Sequence, residues 1–482
     1  MNYGIVGWAI GRVLWVEASL MIFPVAVALI YGEAPINAWS FLITMVLLVI
    51  CGALLGRKKP VIDKLYTKEG LVITGLSWVV LSFFGALPFF ISGQIPSLVN
   101  ALFETASGFT TTGASILTDV EALTHSMLFW RSFTHLIGGM GILVFTMAIL
   151  PRMGDDTVHI MKAEVPGPVF GKIVSKTGST ARILYIVYLG MWALTVLFLM
   201  LGGMPLFDSM LHGFGAAGTG GFGIRNGSVL PYNSAYIEMV LGIAMILFGV
   251  NFNLYFFLLF GNWKTVYKNE ELRWYLAIIA GAIVFISYNL KDLYGPLTER
   301  LRHVFFTVSS IITTTGFTTV DYATWPMQTH IILLLLMFVG AMAGSTAGGL
   351  KVSRIGILAK NALSELRRVR EPKRTLVVRY ENRAVMKSVT DSVLKYLVIY
   401  CIVFWGLVLL VSPDVPNFVS SFSAVAATFN NIGPGLGMVG PIYSYNDFSD
   451  FSKVVLTIGM IAGRLEIYPI LLLFMKHTWK RY

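Results

Sequence analysis

Long apolar runs are the feature that most constrains this chain. Stretches of about 20 predominantly apolar residues recur along its whole length, and each is long enough to cross a bilayer as a helix. Hydrophobic residues make up 56% of the 482 residues and charged residues only 13%, and the mean hydropathy is +0.73. These values exclude a soluble protein and predict an all-α polytopic membrane protein. The ten predicted spanning helices cover roughly residues 5–31, 36–55, 69–92, 126–150, 181–203, 236–261, 273–290, 329–357, 392–411 and 452–476.

The positions of the basic residues predict the topology. An even number of spans puts both termini on one side, and the segments on that side, together with Arg12, hold 28 of the 36 Lys and Arg residues. Cytoplasmic loops carry such an excess, so both termini are predicted to be cytoplasmic. The net charge of +11 is therefore attributed to topology and contact with the lipid bilayer, not to nucleic acid. The most basic cytoplasmic segment, 360–387, fits either a juxtamembrane loop or a docking site for a cytoplasmic partner.

Four similar segments recur between the predicted spans. Each contains a moderately apolar stretch, too brief to cross a bilayer, that ends in a glycine-bearing turn. The stretches read FETASGFTTTGA (103–114), LHGFGAAGTGGF (211–222), FTVSSIITTTGF (306–317) and SAVAATFNNIGP (423–434). Aligned without gaps, they share a glycine at the eleventh place: Gly113, Gly221, Gly316 and Gly433. We therefore expect four repeats of helix, half-helix, turn and helix, with two N-terminal helices outside them.

The four turns have the composition of a cation path. Non-helical backbone at membrane depth is tolerated only where protein buries it or it lines a water-filled cavity, and four similar units most simply surround one axis. Glycine permits positive φ, so successive carbonyls can point to one side, and a ring of carbonyls can replace the hydration shell of K⁺. Threonine hydroxyls are expected to add oxygen ligands, and the half-helices aim their negative dipole ends at the ion. The alternative is that these small residues only allow close helix packing.

Acidic residues flank the turns on the outer side. A ring of carboxylates would raise the local cation concentration, whereas each carboxylate taken singly fits a solvated loop residue. The residues concerned are Glu104, Asp119, Glu121, Asp208, Asp321 and Asp447.

The stretch GAMAGSTAGGLK (340–351) interrupts the predicted span 329–357. Glycine disfavours continuation of a helix, and unwound backbone at this depth again requires a polar cavity. The stretch is therefore predicted to be an intramembrane loop, the alternative being a tightly packed glycine-rich helix crossing. Because the loop runs directly into the basic segment, a partner pulling on 351–387 would move it.

Arg464 is predicted near the middle of the last span, 452–476. A charge there costs roughly 3 kcal/mol and is a functional hypothesis by default. Glu466, two positions away, would face another side of the helix and could not pair with it. The alternative is a structural pair with a carboxylate or helix carbonyls elsewhere.

Other kinds of chemistry find little support in the sequence. Cys51 and Cys401 lie in apolar helices, where an exported disulfide or a metal site is not expected. The seven histidines show no ligand spacing, so an intramembrane enzyme is not expected. The chain has no soluble domain bearing a G-x-G-x-x-G motif, so we expect no nucleotide on it.

The motifs together resemble the Trk/Ktr/HKT superfamily of potassium transporters. The resemblance includes the four turns, WRSFTHLIGGMGI (130–142), GAMAGSTAGGLK (340–351) and GRLEIYP (463–469), and thus covers essentially the whole chain. It implies four membrane–pore–membrane units in a pseudo-fourfold arrangement around one pore, assembled as a homodimer in the bacterial cytoplasmic (inner) membrane. It also implies a cytoplasmic partner, a TrkA-like ring of nucleotide-binding RCK subunits that controls opening.

The same resemblance assigns residues to the transported K⁺ and to its control. It places the filter at Thr110, Thr111, Thr112, Gly113, Thr219, Gly220, Gly221, Thr313, Thr314, Thr315, Gly316, Asn430, Asn431, Ile432 and Gly433. It places the gate at Gly344, Ser345, Thr346, Gly348, Gly349, Lys351 and Arg464. Glycine in all four turns implies a preference for K⁺ over Na⁺. The second turn has an extra glycine and the fourth lacks threonine, and such unequal ligands would give fewer well-formed sites than four identical strands.

The sequence therefore predicts gated, channel-like K⁺ uptake driven by the membrane potential. The alternative is a secondary K⁺ symporter coupled to Na⁺ or H⁺, although parallel repeats favour a pore over the inverted repeats of many transporters. The predicted units are an N-terminal helix pair (1–60), pore repeats (61–155, 156–262, 263–360 and 389–482) and a basic cytoplasmic segment (361–388).

Overall fold

The computed structural model describes residues 1–57, 66–141, 177–371, 377–381 and 383–480. These residues form an almost wholly helical protein, which confirms the predicted all-α polytopic fold. The N-terminal pair consists of α1 (Tyr3–Leu20), its continuation α2 (Ile22–Ile30) and α3 (Pro35–Leu55). The side chain of Asn2 begins the pair, since its Oδ1 accepts the N–H of Gly4 at 3.1 Å.

Four units of the same design follow the pair. The first spanning helices are α4 (Thr67–Ile91), α7 (Thr177–Leu201), α12 (Glu270–Asn289) and α16 (Lys387–Val411). The half-helices are α5 (Leu98–Phe109), α8 (Leu206–Gly218), α13 (Leu297–Ile312) and α17 (Phe418–Phe429). The second helices begin as α6 (His125–Gly139), α9 (Ala235–Phe248), α14 (Met327–Val339) and α18 (Asp450–Arg464). The remaining elements are α10 (Phe252–Leu259), α11 (Trp263–Lys268), α15 (Val352–Arg370), α19 (Tyr468–Phe474) and an antiparallel ribbon of β1 (Arg379–Tyr380) and β2 (Arg383–Ala384).

The half-helices are too short to cross a bilayer, as the sequence predicts. They contain 12, 13, 16 and 12 residues, and at about 1.5 Å per residue none reaches the thickness of the hydrocarbon core. Side chains cap two of them at the start: Ser97 Oγ accepts the N–H of Asn100, and Asn417 Oδ1 accepts the N–H of Ser420. Each half-helix therefore enters from one side and ends inside the protein.

Six helices in the described part of the chain are long and apolar enough to span a membrane. They are Tyr3–Ile30, Pro35–Leu55, Thr67–Ile91, Arg182–Leu201, Glu270–Asn289 and Lys387–Asp414. This set comprises the N-terminal pair and the first spanning helix of every repeat. The other four predicted spans are the second helices of the repeats, and none of them is among these six helices.

Two of the predicted second helices are wrong as continuous spans. The predicted span 236–261 consists of α9 and α10, which are bent by 92° at a break of three residues. The predicted span 452–476 ends at Arg464, and α19 resumes only at Tyr468, because Glu466 and Ile467 have positive φ. The span 329–357 is interrupted where predicted, between α14 and α15. In the span 126–150, α6 ends at Gly139, and residues 142–150 lie outside the described residues.

The two ends of the chain lie together. The ammonium group of Met1 donates to the carbonyl of Lys480 at 3.0 Å, and the Tyr3 hydroxyl donates to the carbonyl of Trp479. Both ends of the described chain are therefore on the same side of the helical bundle.

Candidate functional site

The four half-helices end in turns of one backbone conformation. We call them turn 1 (110–113), turn 2 (218–221), turn 3 (313–316) and turn 4 (430–433). The second residue of each turn is left-handed: Thr111 (φ 54°), Thr219 (54°), Thr314 (55°) and Asn431 (58°). The closing glycines also have positive φ, from 69° at Gly221 to 97° at Gly433. The predicted positive φ at these glycines is confirmed.

The same hydrogen bond closes every turn. The N–H of the third residue donates to the carbonyl five residues earlier: Thr112 to Ser107 (2.8 Å), Gly220 to Gly215 (2.8 Å), Thr315 to Ser310 (2.8 Å) and Ile432 to Ala427 (2.7 Å). This 6→1 bond is the Schellman ending of a helix. The NNIG sequence of turn 4 therefore forms the same backbone as TTTG, since asparagine tolerates the left-handed conformation.

The four turns meet in a closed ring. A Cβ atom added at Gly113 would lie 1.9 Å from the carbonyl oxygen of Gly220, and one at Gly221 would lie 1.9 Å from that of Thr315. The series continues from Gly316 to the carbonyl of Ile432 (2.0 Å) and from Gly433 back to that of Thr112 (2.7 Å). Each closing glycine thus abuts the next repeat, in the order 1, 2, 3, 4, 1. This order is the pseudo-fourfold arrangement around one axis.

The polar side chains of the turns stabilise the turns themselves. Thr110 Oγ1 donates to the carbonyl of Ala106 at 2.6 Å and lies 2.7 Å from Thr112 Oγ1. Turn 3 repeats this pattern, with 2.6 Å from Thr313 Oγ1 to the Ser309 carbonyl and 2.8 Å from Thr313 Oγ1 to Thr315 Oγ1. These hydroxyls therefore stabilise the turns, and because a hydroxyl that donates its proton keeps an oxygen lone pair, their role as ion ligands stays a prediction.

In turn 4 asparagine amides replace the threonine hydroxyls. Asn430 Nδ2 donates to the carbonyl of Ala426 at 2.9 Å, and its Oδ1 accepts the Tyr400 hydroxyl at 2.7 Å. Asn431 Nδ2 donates to Thr112 Oγ1 of the adjacent turn 1 at 2.9 Å. Turn 4 is therefore held as firmly as turns 1 and 3, by longer side chains.

A cavity ends on the ring, on the side where the predicted acidic residues lie. Its volume is about 340 Å³, and its lining includes all four closing glycines, Gly113, Gly221, Gly316 and Gly433. The charged side chains in its lining are Arg131, Arg225 and Asp447. The ring thus lies at the base of a cavity large enough for several water molecules.

Arg131 and Glu104 form a buried ion pair beside this cavity. The distance from Arg131 Nε to Glu104 Oε1 is 2.6 Å, and both side chains are almost fully buried. Arg131 also donates to the carbonyl of Gly223, after turn 2, at 2.8 Å. Glu104 accepts the N–H of Ile116, after turn 1, at 2.9 Å. Glu104 is therefore no solvated loop residue, because the pair joins the segments that follow two turns. Sequence reasoning missed Arg131, although an arginine within a predicted span was a signal.

The other outer carboxylates form local contacts, not a ring. Asp119 and Glu121 accept hydrogen bonds from Asn226, at 2.8 Å to its Nδ2 and 3.1 Å to its backbone N–H. Burial raises the pKa of the Tyr232 phenol, so it stays protonated and donates to Asp208 Oδ2 at 2.6 Å. Of the six predicted acids, Asp447 is the one in the lining of the cavity.

The stretch 340–351 is a loop and not a helix crossing, as predicted, and it lies against the ring. Positive φ at Gly340, Gly344, Gly349 and Lys351 excludes a helix. The N–H of Gly348 donates to Thr314 Oγ1 of turn 3 at 2.7 Å. A Cβ added at Gly348 would lie 2.2 Å from the carbonyl oxygen of Asn430 in turn 4. The loop therefore touches two of the four turns directly.

The loop also packs into the break of the second repeat. The N–H of Met342 donates to the carbonyl of Gly249 at 3.1 Å, and the N–H of Phe252 donates to the carbonyl of Gly344 at 3.0 Å. Thr346 Oγ1 donates to the carbonyl of Phe248 at 3.2 Å. The bend between α9 and α10 thus supplies the backbone partners that the loop requires.

Arg464 joins the loop to the opposite side of the bundle. Its Nη1 donates to the carbonyl of Thr346 at 2.5 Å, and its Nη2 donates to the carbonyls of Gly138 and Gly139 at 2.7 and 2.6 Å. The side chain is buried, with 9% exposure. Arg464 is the last residue of α18, not the middle of a span, so its guanidinium reaches the carbonyl end of α6.

Charged side chains near Arg464 also form contacts with the loop or with the helix that follows it. Glu466 lies beyond the helix end, and its Oε2 accepts Arg354 Nη2 of α15 at 2.5 Å. Lys351 donates to the carbonyl of Ala347 within the loop. Three cationic side chains therefore hold the loop and the helix that follows it.

Comparisons with known proteins match this architecture over its full length. The family model described as TrkH, cation transport protein, matches residues 38–481. The chain belongs to the TrkH family of cation transport proteins. It is 34% identical to the Trk system potassium uptake protein TrkH of Salmonella typhimurium, with all of both chains covered. It is 34% identical to TrkG of Escherichia coli, with 98% and 97% covered. The crystal structure of the potassium transporter TrkH from Vibrio parahaemolyticus superposes with a TM-score of 0.89 at 32% identity, covering 100% of both chains.

In this TrkH-family chain, Glu271 is a second residue that sequence reasoning missed. Its Oε1 accepts the N–H of Ala343, inside the loop, at 2.8 Å and the N–H of Ser353, at the start of α15, at 3.0 Å. Its neighbour Glu270 pairs with Lys360 of α15. In the sequence the two glutamates look like ordinary acidic residues in the first turn of a helix. No sequence pattern therefore marked them as part of the site.

The ribbon of the basic segment docks beside these glutamates. Glu381 Oε1 accepts the N–H groups of Glu270 and Glu271, both at 3.0 Å, and Glu270 Oε2 accepts the N–H of Glu381 at 3.0 Å. The basic segment of this family member is therefore in contact with the residues that hold the loop. Residues 372–376 and 382 of this segment lie outside the described residues.

Metal-ligating clusters are not a feature of the described residues. Within them, no group of three or more His, Cys, Asp and Glu side chains is arranged to hold a metal ion. Cys51 and Cys401, both among the described residues, are free thiols.

Proposed function

We propose that this chain takes up K⁺ through a selective, gated, channel-like pore. The observation that supports this best is the closed ring of four turns with the same backbone conformation, which lies at the base of the cavity. Backbone carbonyls at such a constriction can replace water around a monovalent cation. The carbonyl ends of four half-helices converge there, so their dipoles favour positive charge. The filter consists of the fifteen turn residues assigned from the resemblance.

The choice of potassium has two supports. Its full-length relatives are named potassium uptake proteins, and all four turns close on glycine with positive φ. Turn 4 also has the same backbone conformation as turns 1 to 3. Its NNIG sequence is therefore no reason to expect a poorly formed ion site. We therefore expect clear selectivity over Na⁺. The membrane is the bacterial cytoplasmic membrane, with both termini on the cytoplasmic side, as the charge asymmetry predicts.

The gate is formed by the loop and Arg464. The proposed residues are Gly344, Ser345, Thr346, Gly348, Gly349, Lys351 and Arg464. The loop contacts turns 3 and 4, so an ion that leaves the ring meets it first. The guanidinium adds a positive charge on the same path and ties the loop to α6.

Control from the cytoplasm would act through α15 and the ribbon. The helix α15 starts where the loop ends and carries exposed arginines, Arg367, Arg368 and Arg370, in its last turn. A TrkA-like RCK ring bound there would pull on the loop directly, and any nucleotide would sit on that partner. The functional assembly would be a homodimer with one pore in each protomer.

Replacing Glu271 with alanine is expected to raise basal K⁺ flux without the partner. The variant removes two hydrogen bonds to a carboxylate, each worth about 1.5–3 kcal/mol, from the closed loop. Glu271→Gln keeps an acceptor oxygen and should have a smaller effect. The measurement is ⁸⁶Rb⁺ uptake by proteoliposomes. Glu365→Ala is the matched control, because this glutamate of α15 is exposed and its ion pair within the described part of the chain is with Arg368. Unchanged flux in a folded Glu271→Ala protein would remove Glu271 from the gate.

The alternative is a secondary K⁺ symporter coupled to Na⁺ or H⁺. Four parallel units around one axis favour the pore over alternating access. The direct test is ⁸⁶Rb⁺ uptake into proteoliposomes loaded with K⁺, in buffers free of Na⁺ and without a pH gradient. A pore accumulates the tracer under these conditions. Uptake that appears only with a Na⁺ or H⁺ gradient would establish the symporter instead.

A further inference from the structure

Turn 2 differs from the other turns at its first and third residues. Both are glycine, Gly218 and Gly220, where turns 1 and 3 have threonine. Neither glycine has positive φ, so the backbone conformation itself would accept a side chain. What excludes a side chain must therefore be a lack of space.

The imidazole of His135 occupies that space. A Cβ added at Gly220 would lie 2.2 Å from His135 Nδ1, 2.4 Å from Cε1 and 2.6 Å from Cγ, and these are its three nearest atoms. The ring is fully buried and stacks on Phe222, the residue after turn 2, with centroids 4.3 Å apart and planes 18° apart. Neither ring nitrogen has a hydrogen-bond partner among the described residues. His135 thus contacts turn 2 through packing.

The corresponding space in turns 1 and 3 holds paired hydroxyls. Thr110 and Thr112 lie 2.7 Å apart, and Thr313 and Thr315 lie 2.8 Å apart. Turn 2 has no side chain that could form such a pair. In turn 2, the imidazole of His135 from α6 therefore occupies the space that two threonine side chains occupy in turns 1 and 3.

We propose that His135 is a positioning residue of turn 2. Its ring fixes the backbone at Gly220, whose carbonyl oxygen faces Gly113 in the ring of four turns. This inference rests on the proposed filter function of that ring. It assigns the extra glycine of the second turn to steric fit with His135, and it makes turn 2 equivalent to the others in geometry without threonine.

The test is a rescue experiment with three variants. Gly220→Ala alone should lower K⁺ flux at least tenfold, because the methyl group overlaps the imidazole. His135→Ala alone should keep flux and lower the K⁺/Na⁺ permeability ratio several-fold, because turn 2 loses its support. The double variant should recover flux to within a few-fold of His135→Ala. Normal flux in Gly220→Ala, or no recovery in the double variant, would overturn the proposal.

Gly218→Ala provides the matched control. A Cβ at Gly218 would lie 2.2 Å from the backbone carbonyl oxygen of His135, which the His135→Ala change leaves in place. Gly218→Ala should therefore stay impaired in the His135→Ala background. Rescue of both glycine variants would indicate general loosening and contradict the specific fit.

Thermal unfolding of the same purified variants separates this inference from the proposed function. The midpoint should fall in Gly220→Ala and recover in the double variant, whatever ion the protein carries. If the midpoints follow this pattern while the permeability ratio of His135→Ala equals that of the parent, His135 packs against turn 2 without positioning a filter. If the parent protein itself shows no K⁺ selectivity, the proposed function fails, and the midpoints still test the packing.

Discussion

Replacing Arg464 with alanine is expected to raise K⁺ flux through the chain in the absence of any partner. The side chain donates three hydrogen bonds, to the carbonyls of Thr346, Gly138 and Gly139. Bonds from a charged donor are worth about 1.5–3 kcal/mol each, and a shift of only 1.4 kcal/mol changes an equilibrium about tenfold. We therefore expect at least about tenfold more ⁸⁶Rb⁺ uptake by proteoliposomes.

One further variant distinguishes the hydrogen bonds of Arg464 from its positive charge, and a second variant serves as a control. Arg464→Lys keeps the positive charge but loses the fork that reaches two groups of carbonyls, so its flux should lie between those of the parent and Arg464→Ala. Arg368→Ala is the control, since Arg368 is exposed at the end of α15 and should not affect partner-free flux. Parental flux in a folded Arg464→Ala protein would remove this residue from the gate.

Replacing a closing glycine of the ring with alanine is expected to abolish selective K⁺ flux. At Gly113, Gly221 and Gly316 the added Cβ would lie 1.9 to 2.0 Å from a carbonyl oxygen of the next repeat. These are the oxygen atoms that would bind the ion, so the turn must shift and the ring must open. We expect a loss of flux of more than about a hundredfold, equivalent to a barrier about 2.7 kcal/mol higher. Reversal potentials and ⁸⁶Rb⁺ uptake measure the effect.

The ring also predicts a graded series. At Gly433 the nearest carbonyl oxygen would lie 2.7 Å away, so Gly433→Ala should be the mildest of the four. Gly93 is the matched control, because it has φ of +76° with no atom within 4 Å of a Cβ. Gly93→Ala carries only the strain of the left-handed conformation, about 1–2 kcal/mol. Selective flux at the parental level in Gly113→Ala would contradict the filter assignment.

The sequence predicted the repeats because local chemistry determines them. Short apolar stretches that end in a glycine-bearing turn can be recognised directly in the sequence. The loop at 340–351 was equally visible, since four glycines in twelve residues disfavour a helix. The equivalence of NNIG with TTTG was missed, because it depends on the left-handed conformation of Asn431 and not on hydroxyl groups.

The remaining features depend on contacts between distant parts of the chain. The apolar run at 236–261 is continuous in composition, yet α9 ends at Phe248 because the loop supplies partners to the backbone beyond it. Arg464 was predicted within a helix because nothing local announces the positive φ of Glu466 and Ile467. The roles of Arg131 and Glu271 follow from partners 27 and 72 residues away. No local sequence pattern predicts hydrogen bonds between residues so far apart in the chain.

The reversal potential of the purified protein in a planar bilayer, with K⁺ on one side and Na⁺ on the other, tests the central claim most directly. A passive filter built from the four turns predicts a value close to the K⁺ Nernst potential that a pH gradient does not move. A reversal near zero would mean that the ring does not discriminate between the two ions. A value that follows the Na⁺ or H⁺ gradient at a fixed stoichiometry would contradict the pore and establish coupled transport.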